Sequence, residues 1–404
     1  MPEYGLLGHP LGHSLSPEIH SALGYEYELF DTPSDKIEEF LKKGLLGFNV
    51  TIPYKKVIMD YLDEVDATAY EIGAVNTVVR REGKLYGYNT DVLGMHYALK
   101  NSGIDLKDKS VMILGSGGTS ATARVLAKKC GAKKITVVSR SGDINYTNYT
   151  DCVDTEVIIN TTPVGMYPNI QDKLIDIGGF KNLKGGFDVV YNPLETEFVK
   201  SFRKRGIPCS NGLMMLVAQA KFARDIFKGN KIEDSVINEV YQSLLKRFRN
   251  VVLIGMPGCG KTSVAYKLAT KYKRVLIDTD KLVEDGEEKD IPTIFEEVGE
   301  NGFRDIEEKM IAGIAGYRGS VISCGGGVIK RSKNIENLKR NGIIVYVKRD
   351  LSKLTSEGRP LSKSVGVEKL FEERKALYEG YADVVVENNG TLDECVRKIE
   401  EAVL

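Results

Sequence analysis

Residues 255–262 of this 404-residue chain read Gly255-Met-Pro-Gly258-Cys259-Gly260-Lys261-Thr262, followed by Ser263. The spacing GxxxxGK[ST] suits a phosphate cradle. Glycines let the backbone turn its N–H groups onto an anion, a lysine reaches the outer phosphates, and a hydroxyl can hold magnesium. Gly258, Cys259, Gly260, Lys261, Thr262 and Ser263 are therefore candidates for a nucleoside triphosphate site. A second glycine-rich turn, Gly115-Ser-Gly117-Gly118-Thr119, follows the apolar run VMILG and precedes helical sequence. There the backbone can turn tightly and approach a pyrophosphate. The next apolar run ends in Ser139-Arg140-Ser141, with no acidic residue to take a ribose 2′-hydroxyl. Arg140 can meet a 2′-phosphate, which favours NADP over NAD, or stand as a solvated surface charge.

Both turns need a strand before them and a helix after them. Short β-branched runs recur at 111–115, 135–139, 156–160, 188–192, 251–255, 275–280, 321–326 and 343–347, separated by helix-length segments. This alternation predicts an α/β protein, with parallel sheets covered by helices. Two unlike nucleotide turns predict two nucleotide-binding domains. The boundary is expected near residues 247–250, where SVINEVYQSLLKRFRNVVLIG passes from amphipathic helix to strand without a linker.

Composition excludes much else. With 56 Lys plus Arg against 56 Asp plus Glu, the net charge is zero, and each half is within one charge of neutral. No broad basic field exists for nucleic acid or an anionic membrane, so anion sites must be local. No apolar stretch is long enough to span a bilayer, and the N-terminus has no signal-peptide pattern. The six cysteines are never closer than 22 residues, so neither a zinc spacing nor a disulfide framework is present, and a cytoplasmic location is expected. His9, His13 and His20 lie close together without an accompanying carboxylate or thiol cluster, and are read as packing residues.

The remaining motifs carry more. GHPLGHSLSPEIH (8–20), GFNVTIPYK (47–55), GAVNTV (73–78), GYNTDVLG (87–94), NTTPVGM (160–166), DVVYNPLETEF (188–198) and NGLMMLVAQA (211–220) closely resemble, in order, the signatures of shikimate dehydrogenase. VLIDTDKLVE (275–284), GFRDIEEKMI (302–311), CGGGVI (324–329), RPL (359–361) and ERKALYEGYADVVV (373–386) resemble those of shikimate kinase. The implied organisation is a dehydrogenase over 1–248, with a substrate lobe at about 1–94 and 211–248 and a Rossmann lobe at about 95–210. A P-loop kinase domain would follow over 249–404.

The first resemblance implies Lys55 as general acid/base with Asp91 as its partner. Taken alone, Lys55 reads as a surface lysine and Asp91 as a helix N-cap. It also implies Ser14 and Ser16 on the substrate carboxylate, Thr51, Asn76, Tyr191 and Gln219 as further substrate contacts, and Thr161, Gly212 and Met214 or Met215 beside the cofactor. Ser139 stands where the family usually has Asn. The second resemblance implies Asp280 as base, Arg304 and Arg374 on a carboxylate, and Gly326 and Gly327 against the ring. It further implies Asp278 with Thr262 at magnesium, and Arg359 on a closing lid. Ala376 replaces the family's usual Pro, and the lid segment is short.

Together they imply one chain that reduces 3-dehydroshikimate with NADPH and phosphorylates shikimate with ATP and Mg2+. The expected partners are those small molecules, with a second copy of the chain as the candidate for a homodimer. Rival readings make one half a metabolite-binding regulatory domain, or let the first half use quinate.

Overall fold

The computed structural model describes residues 3–12, 14–354 and 366–404. His13 and Arg359 lie outside the described residues. The chain divides into two compact units, Met1–Leu244 and Leu245–Leu404.

The first unit opens with a six-stranded sheet: β1 (Tyr4–Gly8), β2 (Glu28–Asp31), β3 (Gly47–Val50), β4 (Glu64–Val65), β5 (Thr77–Arg81) and β6 (Lys84–Tyr88), in the order β2-β1-β3-β5-β6-β4. Helices α1 (Ser16–Ala22), α2 (Ile37–Leu41) and α3 (Ala67–Ile72) connect these strands. The sheet is mixed: β3 pairs with β5, and β5 with β6, antiparallel. Helix α4 (Asp91–Asn101) leads into a parallel sheet built from β7 (Ser110–Leu114), α5 (Gly118–Lys129), β8 (Lys134–Val138), β9 (Val157–Asn160), β10 (Gly185–Asp188), α6 (Glu197–Lys204) and β11 (Cys209–Ser210), in the order β11-β10-β9-β7-β8. Helices α7 (Leu213–Lys228) and α8 (Ser235–Phe248) end the unit, whose division from the second falls inside α8.

The strand expected at 188–192 is instead Gly185–Asp188. Its register with β9 begins at Gly185. Cβ atoms added at Gly185 and Gly186 would fall 2.8 Å from Ile104 Cγ2 and 2.7 Å from Phe202 Cε1. Two glycines that look like a turn thus open a buried strand because bulky neighbours fill their side-chain space. The apolar VVY beyond Asp188 lies in the following loop. Helix α7 returns across the first sheet, where Phe227 and Ala223 join Tyr4, Leu6, Tyr27 and Val79 in one buried cluster. It crosses α4 at Gly94, where an added Cβ would stand 2.6 Å from Met215 O and 2.9 Å from Gln219 Cβ. That close approach carries Gln219 to the start of α4.

The second unit comprises β12 (Asn250–Ile254), α9 (Lys261–Tyr272), β13 (Leu276–Asp278), α10 (Thr279–Glu287), α11 (Ile291–Ile314), β14 (Val321–Ser323), α12 (Ser332–Lys339), β15 (Gly342–Lys348), α13 (Val367–Tyr381), β16 (Val384–Glu387) and α14 (Leu392–Val403). Its sheet is parallel, in the order β13-β14-β12-β15-β16. On the central strand, Val252 and Ile254 enter one core cluster and Val251 and Leu253 the other. A run apolar on both faces is what a doubly covered strand needs. Among the described residues no helix is long and apolar enough to cross a membrane.

Candidate functional sites

In the first unit, a polar quartet gathers where β3, β5, α4 and α7 meet. Lys55 Nζ donates to Asp91 Oδ2 at 2.6 Å. Asn76 Nδ2 donates to Asp91 Oδ1 at 2.9 Å and to Gln219 Oε1 at 3.4 Å. Asp91 is the first residue of α4 but not its cap. That position is Thr90, and the Asp91 carboxylate is turned instead to Lys55 and Asn76. Thr51 is half-buried, with its methyl against Gly8, where an added Cβ would meet Cγ2 at 2.5 Å. Ser14 and Ser16 occupy the entry to α1, where Ser16 N–H donates to Ser14 Oγ at 3.2 Å. No hydrogen bond among the described residues joins these serines to the quartet. Of the described histidines in this stretch, His20 is buried and stacks on Tyr27 at 3.9 Å, and the exposed His9 pairs with Asp31 at 2.6 Å.

The dinucleotide turn follows β7. Gly115 has φ +105°, and an added Cβ would fall 2.9 Å from Thr161 Oγ1 and 2.8 Å from Thr162 Cγ2, so only glycine is comfortable there. Cβ atoms on Gly117 and Gly118 would meet nothing within 4 Å, leaving open space before the N-terminus of α5, with Thr119 as its second residue. Open N–H groups at the start of a twelve-residue helix fit a pyrophosphate. Thr161 Oγ1 donates to Leu114 O at 2.6 Å, pinning the loop after β9 to the end of β7. Past the end of β8, Ser139 is buried and Arg140 exposed, with no acidic side chain between them and Ser141, so the residues fit a 2′-phosphate. Met214 and Met215 are buried in the first turn of α7, after Gly212, and Tyr191 is half-buried in the loop following β10.

Beneath that loop Asp188 is wholly buried, and accepts from Thr196 Oγ1 at 2.6 Å, Asn160 Nδ2 at 2.9 Å and Val190 N at 3.0 Å. Burial pushes its carboxyl up to about 7, against the pull of those three donors. An acid protonated more readily in the folded than the unfolded state loses stability as pH rises between its two pKa values. Stability from this group should therefore fall from about pH 4 to about pH 7, and level off above, by on the order of a few kcal/mol. Thermal unfolding of the wild type and Asp188→Asn across that window checks this, the variant being expected to show a flatter profile. A slope of equal size in the variant would refute it.

In the second unit the P-loop follows β12. Gly255, Gly258 and Gly260 have φ of +150°, +83° and +98°. Lys261 is 8% exposed, its Nζ donating to Gly255 O at 2.9 Å and Met256 O at 3.0 Å. The ammonium is thus folded over the mouth of its own loop. Asn388 Nδ2 donates to Cys259 O at 2.7 Å from the opposite side. Cys259 is buried, and Ser263 is the third residue of α9. Thr262 Oγ1 lies 3.3 Å from both Asp278 Oδ2 and Ser323 Oγ. Among the described residues no group of three or more His, Cys, Asp or Glu side chains could hold a metal. The oxygen set of Thr262, Asp278 and Ser323 nevertheless fits Mg2+, which uses few protein ligands and completes its shell with water and phosphate.

Beside the loop opens a cavity of about 580 Å³, lined in part by Lys261, Asp278, Asp280, Phe295, Arg304 and Arg374. Asp278 caps α10 by accepting from the Asp280 N–H at 3.1 Å. Burial, and then the charge of Asp278, raise the Asp280 carboxyl above its ordinary range, against Lys261 and Arg304. The three glycines 325–327 floor the cavity, each against a different group. Added Cβ atoms would stand 3.1 Å from Asp280 Cγ, 2.7 Å from Pro257 Cγ and 2.6 Å from Arg304 Nη1. Arg374 is 3% exposed; Nη1 donates to Gly326 O at 3.0 Å, while Nε and Nη2 are buried with no hydrogen-bond partner among the described residues. Guanidinium N–H groups left over in a cavity suit a ligand carboxylate.

Two partners escaped the sequence reading. Glu307, 1% exposed, binds Arg304 Nη1 at 2.9 Å. Burial raises its carboxyl, against the Arg304 charge. Its signal was present in FRDIEE, where an acid three residues after an arginine shares its helix face, but that pattern equally describes a surface ion pair. Thr90, which donates to Gln219 Oε1 at 3.4 Å and whose N–H donates to Asn76 Oδ1 at 2.7 Å, lay unread inside GYNTD.

Comparison with known proteins follows the same division. Residues 6–78 match the family model of the shikimate dehydrogenase substrate binding domain, and residues 257–404 that of shikimate kinase. The chain is 39% identical over 271 residues to shikimate dehydrogenase (NADP(+)) of Clostridium perfringens, covering 61% of this chain and all of that one. It is 37% identical over 277 residues to the Methanococcus vannielii enzyme of the same name, covering 60% of this chain and 96% of that one. Among solved structures, a chorismate mutase/shikimate 5-dehydrogenase fusion protein from Clostridium acetobutylicum has a TM-score of 0.58 at 34% identity, over 60% of this chain and 96% of that one. Shikimate 5-dehydrogenase from Thermus thermophilus, in complex with NADP(H) and shikimate, has a TM-score of 0.55 at 30% identity, over 60% of this chain and 99% of that one.

Proposed function

Because the chain belongs to the shikimate dehydrogenase family and continues into a shikimate kinase domain, which makes it a bifunctional shikimate-pathway enzyme, we propose how its own residues divide the two reactions. The dehydrogenase takes residues 1–248 and the kinase 249–404, a division supported by the two compact units Met1–Leu244 and Leu245–Leu404. The observation that carries the first assignment is the 2.6 Å Lys55–Asp91 bond, braced by Asn76.

NADPH, when bound, supplies the hydride for the ketone carbon of 3-dehydroshikimate. Lys55 delivers the proton to the carbonyl oxygen, and Asp91 keeps the lysine nitrogen aimed there. In the reverse direction the same nitrogen takes the hydroxyl proton. Ser14 and Ser16 donate to the substrate carboxylate, while Thr51, Asn76, Gln219 and Tyr191 hold the ring hydroxyls. The turn Gly115-Gly117-Gly118-Thr119, with Thr161, Gly212 and Met215, holds the dinucleotide, and Ser139 and Arg140 take its 2′-phosphate.

In the kinase unit Arg304 and Arg374 grip the carboxylate of shikimate, and Asp280 accepts the proton of the attacking hydroxyl. Gly326 and Gly327 let the ring lie against backbone. Lys261 and the loop Gly258-Cys259-Gly260 hold the outer phosphates of ATP, with Ser263 nearby on α9. Thr262 and Asp278 would hold Mg2+, which supplies charge neutralisation on the phosphate oxygens. Arg359 would offset charge on the moving phosphoryl group, on the strength of the RPL motif.

A Cβ on Gly327 would land on the Arg304 guanidinium. Gly327→Ala should therefore raise KM for shikimate about tenfold or more, with KM for ATP within about twofold. Equal KM values for shikimate in variant and wild type would remove Arg304 from the acceptor site. The reading as a whole is tested by assaying the purified chain for NADP-dependent shikimate oxidation and shikimate-dependent ATP consumption. Absence of both would sink it. The near-neutral charge and six free cysteines support small-molecule partners without nucleic acid, and a cytoplasmic location.

A further inference from the structure

Behind the Asn76–Asp91 bond lies a buried polar cluster centred on Asn49 in β3. Asn49 is 5% exposed, and both ends of its carboxamide are engaged. Nδ2 donates to Asn76 O at 3.0 Å and to Thr77 Oγ1 at 3.0 Å. Oδ1 accepts from Tyr27 Oη at 2.8 Å. The direction of each Asn49 bond is fixed. A main-chain carbonyl only accepts, so the amide nitrogen must face Asn76 O, which leaves the oxygen for the Tyr27 hydroxyl. Having accepted from Asn49, the Thr77 hydroxyl has Asn76 Oδ1 at 2.9 Å and Thr90 Oγ1 at 3.0 Å as acceptors. With Oδ1 of Asn76 committed to the Thr90 N–H, its Nδ2 is the end that faces Asp91.

We propose that Asn49 is a positioning residue for the dehydrogenase reaction. Its carboxamide clamps β5 to β3 at Asn76, holding Asp91, through Asn76, in register with Lys55 on the turn that leaves β3. Asn49 acts through Asn76 and reaches the proton-handling pair only by way of it. The inference rests on the reading of Lys55 and Asp91 as that pair.

The test is a double-mutant cycle on the full-length protein with Asn49→Leu, which keeps the branching of the side chain and removes the bonds, and Asp91→Asn. Asn49→Leu should lower kcat for shikimate oxidation about tenfold, leave KM for NADP within about twofold, and shift the pH limb of kcat/KM. Combined with Asp91→Asn it should cost no more than Asp91→Asn alone, since both act on one contact. Wild-type kcat in Asn49→Leu, or losses that simply multiply in the double variant, would overturn the proposal. Should Asn49→Leu fail to fold, the near-isosteric Thr77→Val decides instead. A loss of about threefold with a shifted pH limb supports the clamp, and wild-type kinetics overturn it. If Asp91→Asn itself keeps full activity, the underlying reading of the pair fails. If Asp91→Asn is inactive and Asn49→Leu is not impaired, the clamp alone fails.

Discussion

Lys55→Ala should lower kcat for shikimate oxidation by about 10³-fold while the kinase reaction of the same chain keeps its full rate. The size follows from what the side chain can do that its surroundings cannot. Hydride leaving or reaching the ring carbon must be matched by a proton at the oxygen, and a positioned acid or base contributes in the range of about 10² to 10⁴. Lys55 is half-buried, and its nitrogen sits 2.6 Å from an Asp91 carboxylate whose other oxygen is held by Asn76. Truncation removes the proton carrier and leaves Asp91 as a partly buried charge with one partner fewer, so no neighbouring group can substitute. Initial rates with saturating shikimate and NADP, alongside ADP release from the same preparation, make the measurement. A loss smaller than about tenfold would reassign Lys55 to substrate binding.

The second large effect belongs to Lys261→Ala, expected to lower phosphoryl transfer by about 10³-fold with shikimate oxidation unchanged. Phosphoryl transfer depends on positioning and charge, and here the ammonium sits over the carbonyls of Gly255 and Met256 at 2.9 and 3.0 Å. Alanine takes away both the charge at the outer phosphates and the donor to two inward-facing carbonyls. The damage should therefore appear in kcat and in KM for ATP together. A variant slower by less than about tenfold would mean that the lysine only braces the loop.

The two nucleotide turns were legible because their chemistry is local: strand, glycines and helix fall within some twenty residues, and spacing alone carries the reading. The quartet was legible only through motifs, since Asn76 and Gln219 are separated by 143 positions and meet because Gly94 lets α7 close on α4. The mixed first sheet was missed, as β1 to β6 are short and interrupted by one-turn helices, so no run of β-branched residues stands out. Strand β10 starts three residues before the expected run because its buried opening is Gly185 and Gly186, which carry no apolar side chain to mark a strand. Asn49 and Glu307 could not be told from ordinary polar residues by type or spacing; what distinguishes them is burial, which only the assembled sheet and helix provide.

One chain should perform both reactions on one metabolite. The most direct measurement supplies the purified protein with 3-dehydroshikimate, NADPH and ATP with Mg2+, and follows NADPH oxidation, ADP release and the phosphorylated product together. One NADPH and one ATP should be consumed, and one ADP released, per shikimate 3-phosphate formed, with Lys55→Ala abolishing both signals and Lys261→Ala abolishing only ADP release. NADPH oxidation that proceeds with no ADP release in the wild type, or ADP release that survives undiminished in Lys55→Ala without added shikimate, would contradict it.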